Sequence, residues 1–243
     1  MQVKTAPDEI QDHLRDTSNM PGGHAERLVM PSSIDEVRAV MCEASEKNIP
    51  VTVSGARTGT VGGAIPFGGW VVSLEKLNKI KSVDRDAMRM VVEPGATLTE
   101  VKRAADAGGL LYPPDPTEWS CQIGGTIATN ASGARSFRYG ATRNWVNALK
   151  VVLADGDLLE LRRGEVFSDD GVLRLVTASG REITAKAPTY QRPNVTKNAS
   201  GYYSAEPLDA IDLLIGSEGT LGVIVEAELA LRSEEHTSEL QSH

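Results

Sequence analysis

The chain has 243 residues, 40% apolar, 24% charged and 5% aromatic, with a formal net charge of −8 and a pI near 5.1. That profile excludes a collagen-like, mucin-like or wholly disordered chain, and the acidic surplus argues against a nucleic-acid partner, which needs a Lys/Arg excess. No apolar run approaches the ~20 residues of a membrane helix, residues 1–30 are too polar for a secretory signal, and the two cysteines, Cys42 and Cys121, make neither a disulfide framework nor a zinc site, so a reducing, cytoplasmic setting is expected, with peripheral membrane association left open.

In chain order, residues 1–30 are weakly patterned, with Pro21-Gly22-Gly23 as a break. Ser33 and Glu36 form a capping-box pair, and Ile34, Val37, Val40, Met41 and Ala44 share one face, which predicts a helix. Ile49 to Val53 reads as a short strand with Pro50 at its start, and Ser54 to Gly69 as a glycine-rich loop. Val71–Leu74 and Met88–Val92 are two more strands. Thr97 and Glu100 cap a second helix carrying Leu98, Val101 and Ala105 and ended by Gly108-Gly109. Pro113 to Gly140 is a long stretch rich in Pro, Gly, Thr and Asn. Leu149–Leu153 and Leu158–Leu161 read as a hairpin through Ala154-Asp155-Gly156-Asp157, and Val172–Val176 with Glu182–Ala185 as another around Ser179-Gly180. Asp209–Leu214 suggests a short helix and Val223–Leu231 a last strand. The pattern is α+β, with a βαβ-rich front lobe and a more β-rich back lobe. The tail Arg232 to His243, RSEEHTSELQSH, has no apolar period and no partner strand; it reads as translated sequencing-adapter DNA, so it is expected to be non-native and the chain to be the N-terminal part of a longer protein.

Three glycine loops carry the functional signal. Loop one, Ser54 to Gly63, follows a strand; its glycines let backbone N–H groups approach a ligand and form an anion nest. It is neither GxGxxG nor a P-loop. Loop two, Ser120 to Gly133, is small, polar and almost uncharged, which suits backbone packed on a flat ligand or on another layer of the fold. Loop three, Gly216 to Gly222, feeds the last strand, and Glu218 there is either a ligand contact or a solvated turn carboxylate. Three such loops, each abutting apolar strand, suit one extended ligand with a phosphate centre.

The segments PSSIDEVRAVM, VTVSGARTGTVGGAIP, VVEPGATLTEV, PPDPTEWSCQIGGTIATNASGARSFRYG, VVLADGD, KNASGYY and DLLIGSEGTLGVIVE resemble, in this order, the PCMH-type FAD-binding domain of the vanillyl-alcohol oxidase / p-cresol methylhydroxylase superfamily. The branch they resemble is the FAD-linked 2-hydroxyacid dehydrogenases, and the match runs from about Arg27 to Leu231. The resemblance implies two α+β lobes with FAD between them: a lead-in of 1–26, lobe one at about 27–111 and lobe two at about 112–231, before the tail of 232–243. Loop one would wrap the pyrophosphate through Gly55, Ala56, Arg57, Thr58, Gly59 and Gly62. Loop two would line the flavin and ribityl region through Pro113, Gly124, Gly125, Thr126, Ala128, Asn130 and Gly133. The stretch with Glu218, Gly219, Gly222, Val223 and Ile224 would hold the adenine side and the back of the cofactor, mainly by backbone.

Loop one has no histidine or cysteine, His13 and His24 lie upstream of the match, and Cys121 reads as a packing residue, so FAD is expected to be non-covalent. The function implied is oxidation of a small 2-hydroxy acid such as D-lactate, glycolate or D-2-hydroxyglutarate, with an electron acceptor and, as an open option, a partner subunit. Alternatives are an alditol, sugar or aromatic-alcohol oxidase or an alkyl-glycerone-phosphate synthase of the same superfamily, or a non-catalytic FAD-binding subunit. In the family the catalytic base comes largely from a C-terminal cap domain, so no catalytic residue is assigned, and this chain alone is expected to bind FAD weakly and turn over little.

Overall fold

A computed structural model describes residues 1–195 and 197–233. The chain opens with β1 (Gln2–Lys4), α1 (Pro7–Ile10) and a 3-10 turn at Gln11–His13, then β2 (Arg27–Met30), α2 (Ile34–Glu46), β3 (Val51–Ser54) and β4 (Trp70–Ser73). Next come β5 (Ile80–Asp84), β6 (Arg89–Val92), α3 (Leu98–Ala107), β7 (Leu110–Leu111), α4 (Ile123–Ala128), α5 (Ser136–Tyr139) and a 3-10 turn at Thr142–Trp145. The remainder is β8 (Val146–Val152), β9 (Leu158–Arg162), β10 (Val172–Val176), β11 (Glu182–Lys186), α6 (Ala210–Leu214), β12 (Val223–Ala230) and β13 (Arg232–Ser233).

Two sheets organise these elements, as the α+β pattern predicts. The first runs β1-β2-β4-β3, with β2 and β3 both parallel to β4 and β1 antiparallel at the edge. The second is antiparallel throughout, in the order β5-β6-β12-β8-β9. Its central strand, β12, alternates as an antiparallel strand with one wet face should. Val225, Ala227 and Leu229 are buried, while Glu226 meets Lys81 at 2.6 Å and Glu228 meets Arg162 at 2.9 Å on the outer face.

The largest core lies between the inner face of the second sheet and helices α3, α4 and α6, around Met90, Leu98, Ile123, Ile127, Leu149 and Ile211. A second core joins the lobes: Val37, Val40, Trp70 and Val72 pack with Val152, Val223 and Val225 from the second sheet. Arg38 Nε, on α2, donates to the Gly156 carbonyl at 3.0 Å and closes the same seam from outside.

Several boundaries differ from those read in the sequence. Residues 1–26 are not a mere lead-in: β1 pairs with β2, and Ile10 packs with Leu28, Met30 and Val71. These elements are only three and four residues long, too short for a period to show. Sheet membership also places β5, β6 and α3, expected in lobe one, with the second sheet, because Val92 pairs with Ala227 far along the chain. Loop two is not a loop throughout. Its middle is α4, where glycine's low helix propensity is overridden by tertiary hydrogen bonds from Ile123 N–H to the Ala96 carbonyl (2.9 Å) and from Gly124 N–H to the Pro94 carbonyl (2.8 Å). Arg232 and Ser233, assigned to a tail without a partner strand, pair with Leu111 and Leu110; the rest of that tail lies outside the described residues.

Candidate functional site

Loop one is the crossover from β3 to β4. Parallel neighbours need a long return connection, and residues 55–69 make it without a helix. Arg57 sits at φ 58° and donates from Nη1 to the Gly55 carbonyl at 3.1 Å. Its own carbonyl accepts from the Thr17 N–H at 3.1 Å and the Thr17 hydroxyl at 3.2 Å. The N-terminal segment thus buttresses the loop from outside, a role its weak patterning did not reveal.

Loop three, between α6 and β12, is hydrogen-bonded to the end of α4. Gly216 N–H donates to the Ile127 carbonyl at 3.0 Å and Glu218 N–H to the Ala128 carbonyl at 2.8 Å. The three segments therefore meet. Gln122 Oε1, in loop two, lies 3.1 Å from where a Cβ on Gly55 would stand, and Glu218 Oε2, in loop three, 3.6 Å from the same position on Gly63. Asn130 Cβ is 3.4 Å from that position on Gly216. Each loop also holds one non-glycine residue at positive φ: Arg57 at 58°, Asn130 at 45° and Glu218 at 54°. That conformation costs a non-glycine residue about 1–2 kcal/mol and persists only where the surroundings enforce it.

Arg143 ties loops two and three together. Its backbone N–H donates to Asn130 Oδ1 at 3.0 Å. Its Nη1 donates to the Asp212 carbonyl (2.6 Å) and carboxylate (2.9 Å), and its Nη2 to the Ile215 carbonyl, just ahead of loop three. Arg163 supports the same Asp212 carboxylate with bonds of 3.1 and 3.0 Å. The sequence reading missed Arg143, because a lone arginine in a polar stretch has no pattern; the clue was its place between two glycine loops.

The glycines divide into two kinds. Gly124, Gly133 and Gly222 are packed by the protein itself: a Cβ would come within 2.6 Å of Pro94 Cβ, 1.7 Å of the Asp115 carbonyl oxygen and 2.7 Å of Val151 Cγ1, respectively. Gly59 and Gly125 have nothing within 4 Å of that position, so packing does not require them to be glycine. Among the orphaned buried polar atoms, Gln122 Oε1 lies at the junction of loops one and two. Open space beside bare backbone fits a flat ligand, and the unpaired Gln122 oxygen, an acceptor, suits a hydroxyl or N–H of that ligand rather than a phosphate oxygen.

The other expected contacts are placed as follows. Ala56, Thr58 and Gly62 line the half-buried part of loop one, where Met20 Sδ stands 2.5 Å from a Cβ on Gly62. Pro113 is buried in the segment whose Asp115 packs on Gly133. Thr126 is buried and spends its hydroxyl on the Ile123 carbonyl at 2.9 Å. Gly219 is at φ 79° in the loop-three turn. Val223 and Ile224 point into the core and pair with Val152 and Val151, so a ligand could meet only their backbone.

Cys121 is not set up as a nucleophile. Burial, reinforced by the Arg57 charge, holds the His13 imidazole below its usual pKa. Burial pushes the Cys121 thiol up to about 11, whereas half-buried Cys42 is raised by its hydrogen bond to Glu46. A thiol with so little thiolate is a poor nucleophile. In a Cys42→Ser variant at pH 7.5, Ellman's reagent should react with Cys121 at least ~100-fold more slowly in the native chain than after denaturation. Rapid labelling of the native variant would contradict that burial.

Residues 25–162 match a family model described as an FAD binding domain. The chain is 39% identical over 225 residues to a D-lactate dehydrogenase of Anaerostipes hadrus, covering 91% of this chain and 40% of that protein. It is 39% identical over 236 residues to a D-2-hydroxyglutarate dehydrogenase of Xanthomonas citri pv. viticola (95% and 42%) and 31% identical over 206 residues to the glycolate oxidase subunit GlcD of Bacillus subtilis (84% and 36%). It thus spans about two fifths of the length of these relatives. Among solved structures, an alkyldihydroxyacetonephosphate synthase superposes with a TM-score of 0.68 at 20% identity, covering 96% of this chain and 41% of that one, which shows a shared fold. Among the described residues, no helix is long and apolar enough to cross a membrane.

Proposed function

Because the chain belongs to the family of FAD binding domains, we propose that it is the cofactor-holding part of a flavin-dependent oxidoreductase that acts on a small 2-hydroxy acid. The observation that supports this best is the meeting of three glycine segments from separate parts of the chain, with Gly59 and Gly125 facing open space. Loop one would hold the diphosphate on backbone N–H groups, with the Arg57 charge beside it. The exposed α4 backbone at Gly125 would lie against the flat ring system. Glu218, a carboxylate beside Gly63, suits a hydroxyl better than a phosphate, which places it toward a ribose in this reading. Bound FAD would supply the redox chemistry, and the protein would supply orientation and exclusion of water. With Cys121 buried and weakly acidic, attachment is non-covalent in this proposal.

The substrate class comes from the relatives, whose names specify D-lactate, D-2-hydroxyglutarate and glycolate. One of those names also marks a subunit, which brings a partner chain and a separate electron acceptor into the proposal. Flavin fluorescence quenching on titration tests the cofactor. FAD should bind saturably and at least ~10-fold more tightly than FMN or ADP alone, since each half forfeits about 1.4 kcal/mol or more of contact. No saturable FAD binding would end the proposal. Dye reduction by a longer form carrying the remaining length of its relatives, compared across the three acids, tests the substrate class. Turnover of sugar or aromatic alcohols instead would redirect it.

A further inference from the structure

Beside loops two and three lies a narrow recess, lined by Asn130 and Gly216 on one side and by Tyr190, Arg192, residues 198–201 and Tyr203 on the other, with Arg143 at its base. Among the described residues, its buried side-chain atoms without a partner are of one kind. Asn198 Oδ1 accepts from the Ser200 N–H at 2.9 Å and the Ser200 hydroxyl at 2.8 Å. A backbone N–H can only donate, so this pair fixes the amide orientation and leaves Nδ2 as a donor. That Nδ2 is buried and has no partner, and the same holds for Arg143 Nε. Arg192 stacks its guanidinium on Tyr203 at 3.8 Å, on the ring that Arg143 also approaches at 4.0 Å, and forms no ion pair among the described residues. Tyr190 turns its hydroxyl onto the Ser200 and Tyr202 carbonyls instead of into the recess.

Every orphaned side-chain atom lining the recess is thus a donor, and a guanidinium without a carboxylate partner stands at its mouth. Buried donors left unpaired are destabilising, and a ligand that brings acceptors removes that cost. The Arg143 charge is already matched by Asp212, so among the described residues the cation of the recess without an acidic partner is Arg192. A cationic ligand gains nothing from such a set, and a neutral acceptor forgoes the attraction of the Arg192 charge. A carboxylate, with two oxygens and about four lone-pair directions, is the ligand class whose acceptors match amide, Nε–H and guanidinium donors alike. We propose that this recess is an oxyanion site, recognising the carboxylate of a small organic acid or the acceptor oxygens of the neighbouring dinucleotide. The donor set stands on its own; assigning the oxyanion to a substrate acid rests on the function proposed above.

The test uses isothermal titration calorimetry on the whole chain at low ionic strength, with and without FAD, and D-2-hydroxyglutarate and D-lactate as the probes. Arg192→Gln removes the exposed cation. Asn198→Asp keeps the acceptor for Ser200 but puts a carboxylate where Nδ2 donated. If an acid fills the site, Kd for the acids should weaken at least ~10-fold in Arg192→Gln and ~30-fold or more in Asn198→Asp, the scale expected for charge-assisted bonds. If the cofactor fills it, the acids should not bind the FAD-loaded chain, and both variants should weaken FAD by similar factors. Circular dichroism checks that the variants are folded; should Asn198→Asp unfold, Arg192→Gln alone decides. Acid binding equal in wild type and variants overturns the site, as does a set of variants that alters neither acid nor FAD affinity. Failure of the wild type to bind FAD at all would count against the proposed function, while the acid titration of the FAD-free chain still judges the recess.

Discussion

An Arg143→Met variant should lose about 3–5 kcal/mol of stability in urea unfolding, the range expected when one partner of a buried ion pair is removed. Arg143 is 9% exposed. Methionine keeps most of the apolar stem, so the loss reports the guanidinium, its hydrogen bonds and its stacking on the Tyr203 ring at 4.0 Å. The Asp212 and Ile215 carbonyls lose their donor, and the Asp212 carboxylate keeps only Arg163. Because Arg163 remains, the cost should lie near the lower end of that range. Asp212→Ala should be at least as damaging, since among the described residues it leaves Arg143 without an ion-pair partner and Arg163 with only Asp209 at 3.8 Å. Arg143→Lys should not rescue the protein, because one ammonium cannot reach two carbonyls and a carboxylate in the fork geometry of arginine. Loop three hangs from this cluster and loop two is bonded to its backbone, so FAD affinity should also fall by at least ~10-fold in any Arg143 variant that remains folded. A loss under about 1 kcal/mol would show that the cluster does not hold the loops.

Local chemistry was legible where it acts over a few residues. The α3 boundaries follow from Thr97 and Glu100, which form the reciprocal capping box, with Glu100 Oε2 accepting from the Thr97 N–H at 2.8 Å. For α2 the reading was half right. Ser33 does accept from the Glu36 N–H at 3.2 Å, but the Glu36 carboxylate turns to the Ser32 N–H at 2.7 Å and to the chain's amino terminus at 2.5 Å, a contact that appears only once β1 is placed. The two hairpins were visible because Gly156 and Gly180 sit at positive φ where a tight turn needs them. What stayed hidden is long-range. The pairing of β6 with β12 moved α3 and its strands to the other sheet, and no local period reports a partner so distant in the chain. At the site, loops one and three were legible as loops, α4 inside loop two was not, and the family resemblance put the three segments in one place. The side chains that join them were not: Gln122, Arg143 and Tyr203 gain meaning from packing alone.

The two kinds of glycine should separate folding from binding. Gly133→Ala would drive a Cβ to 1.7 Å from the Asp115 carbonyl oxygen and 2.9 Å from Pro116 Cα. Both are backbone atoms, in a segment held by the Lys102–Asp115 ion pair, so the clash cannot be relieved by a rotamer change. The expected cost is about 3 kcal/mol or more, at the upper end of overpacking. Gly124→Ala meets the stiff Pro94 ring at 2.6 Å and should cost about 1–3 kcal/mol. Gly125→Ala should behave oppositely. It lies in α4 with no neighbour to strike and no strained φ, so alanine should stabilise the cofactor-free chain by about 0.5–1 kcal/mol through helix propensity. If a flat cofactor lies on that backbone, the same methyl stands between them, and FAD affinity should fall at least ~10-fold while thermal stability without FAD rises. Urea unfolding of the FAD-free variants and a flavin titration of each give both numbers. A Gly125→Ala chain that binds FAD as tightly as wild type would mean that the open space beside α4 is solvent, and that the dinucleotide, if bound, lies elsewhere.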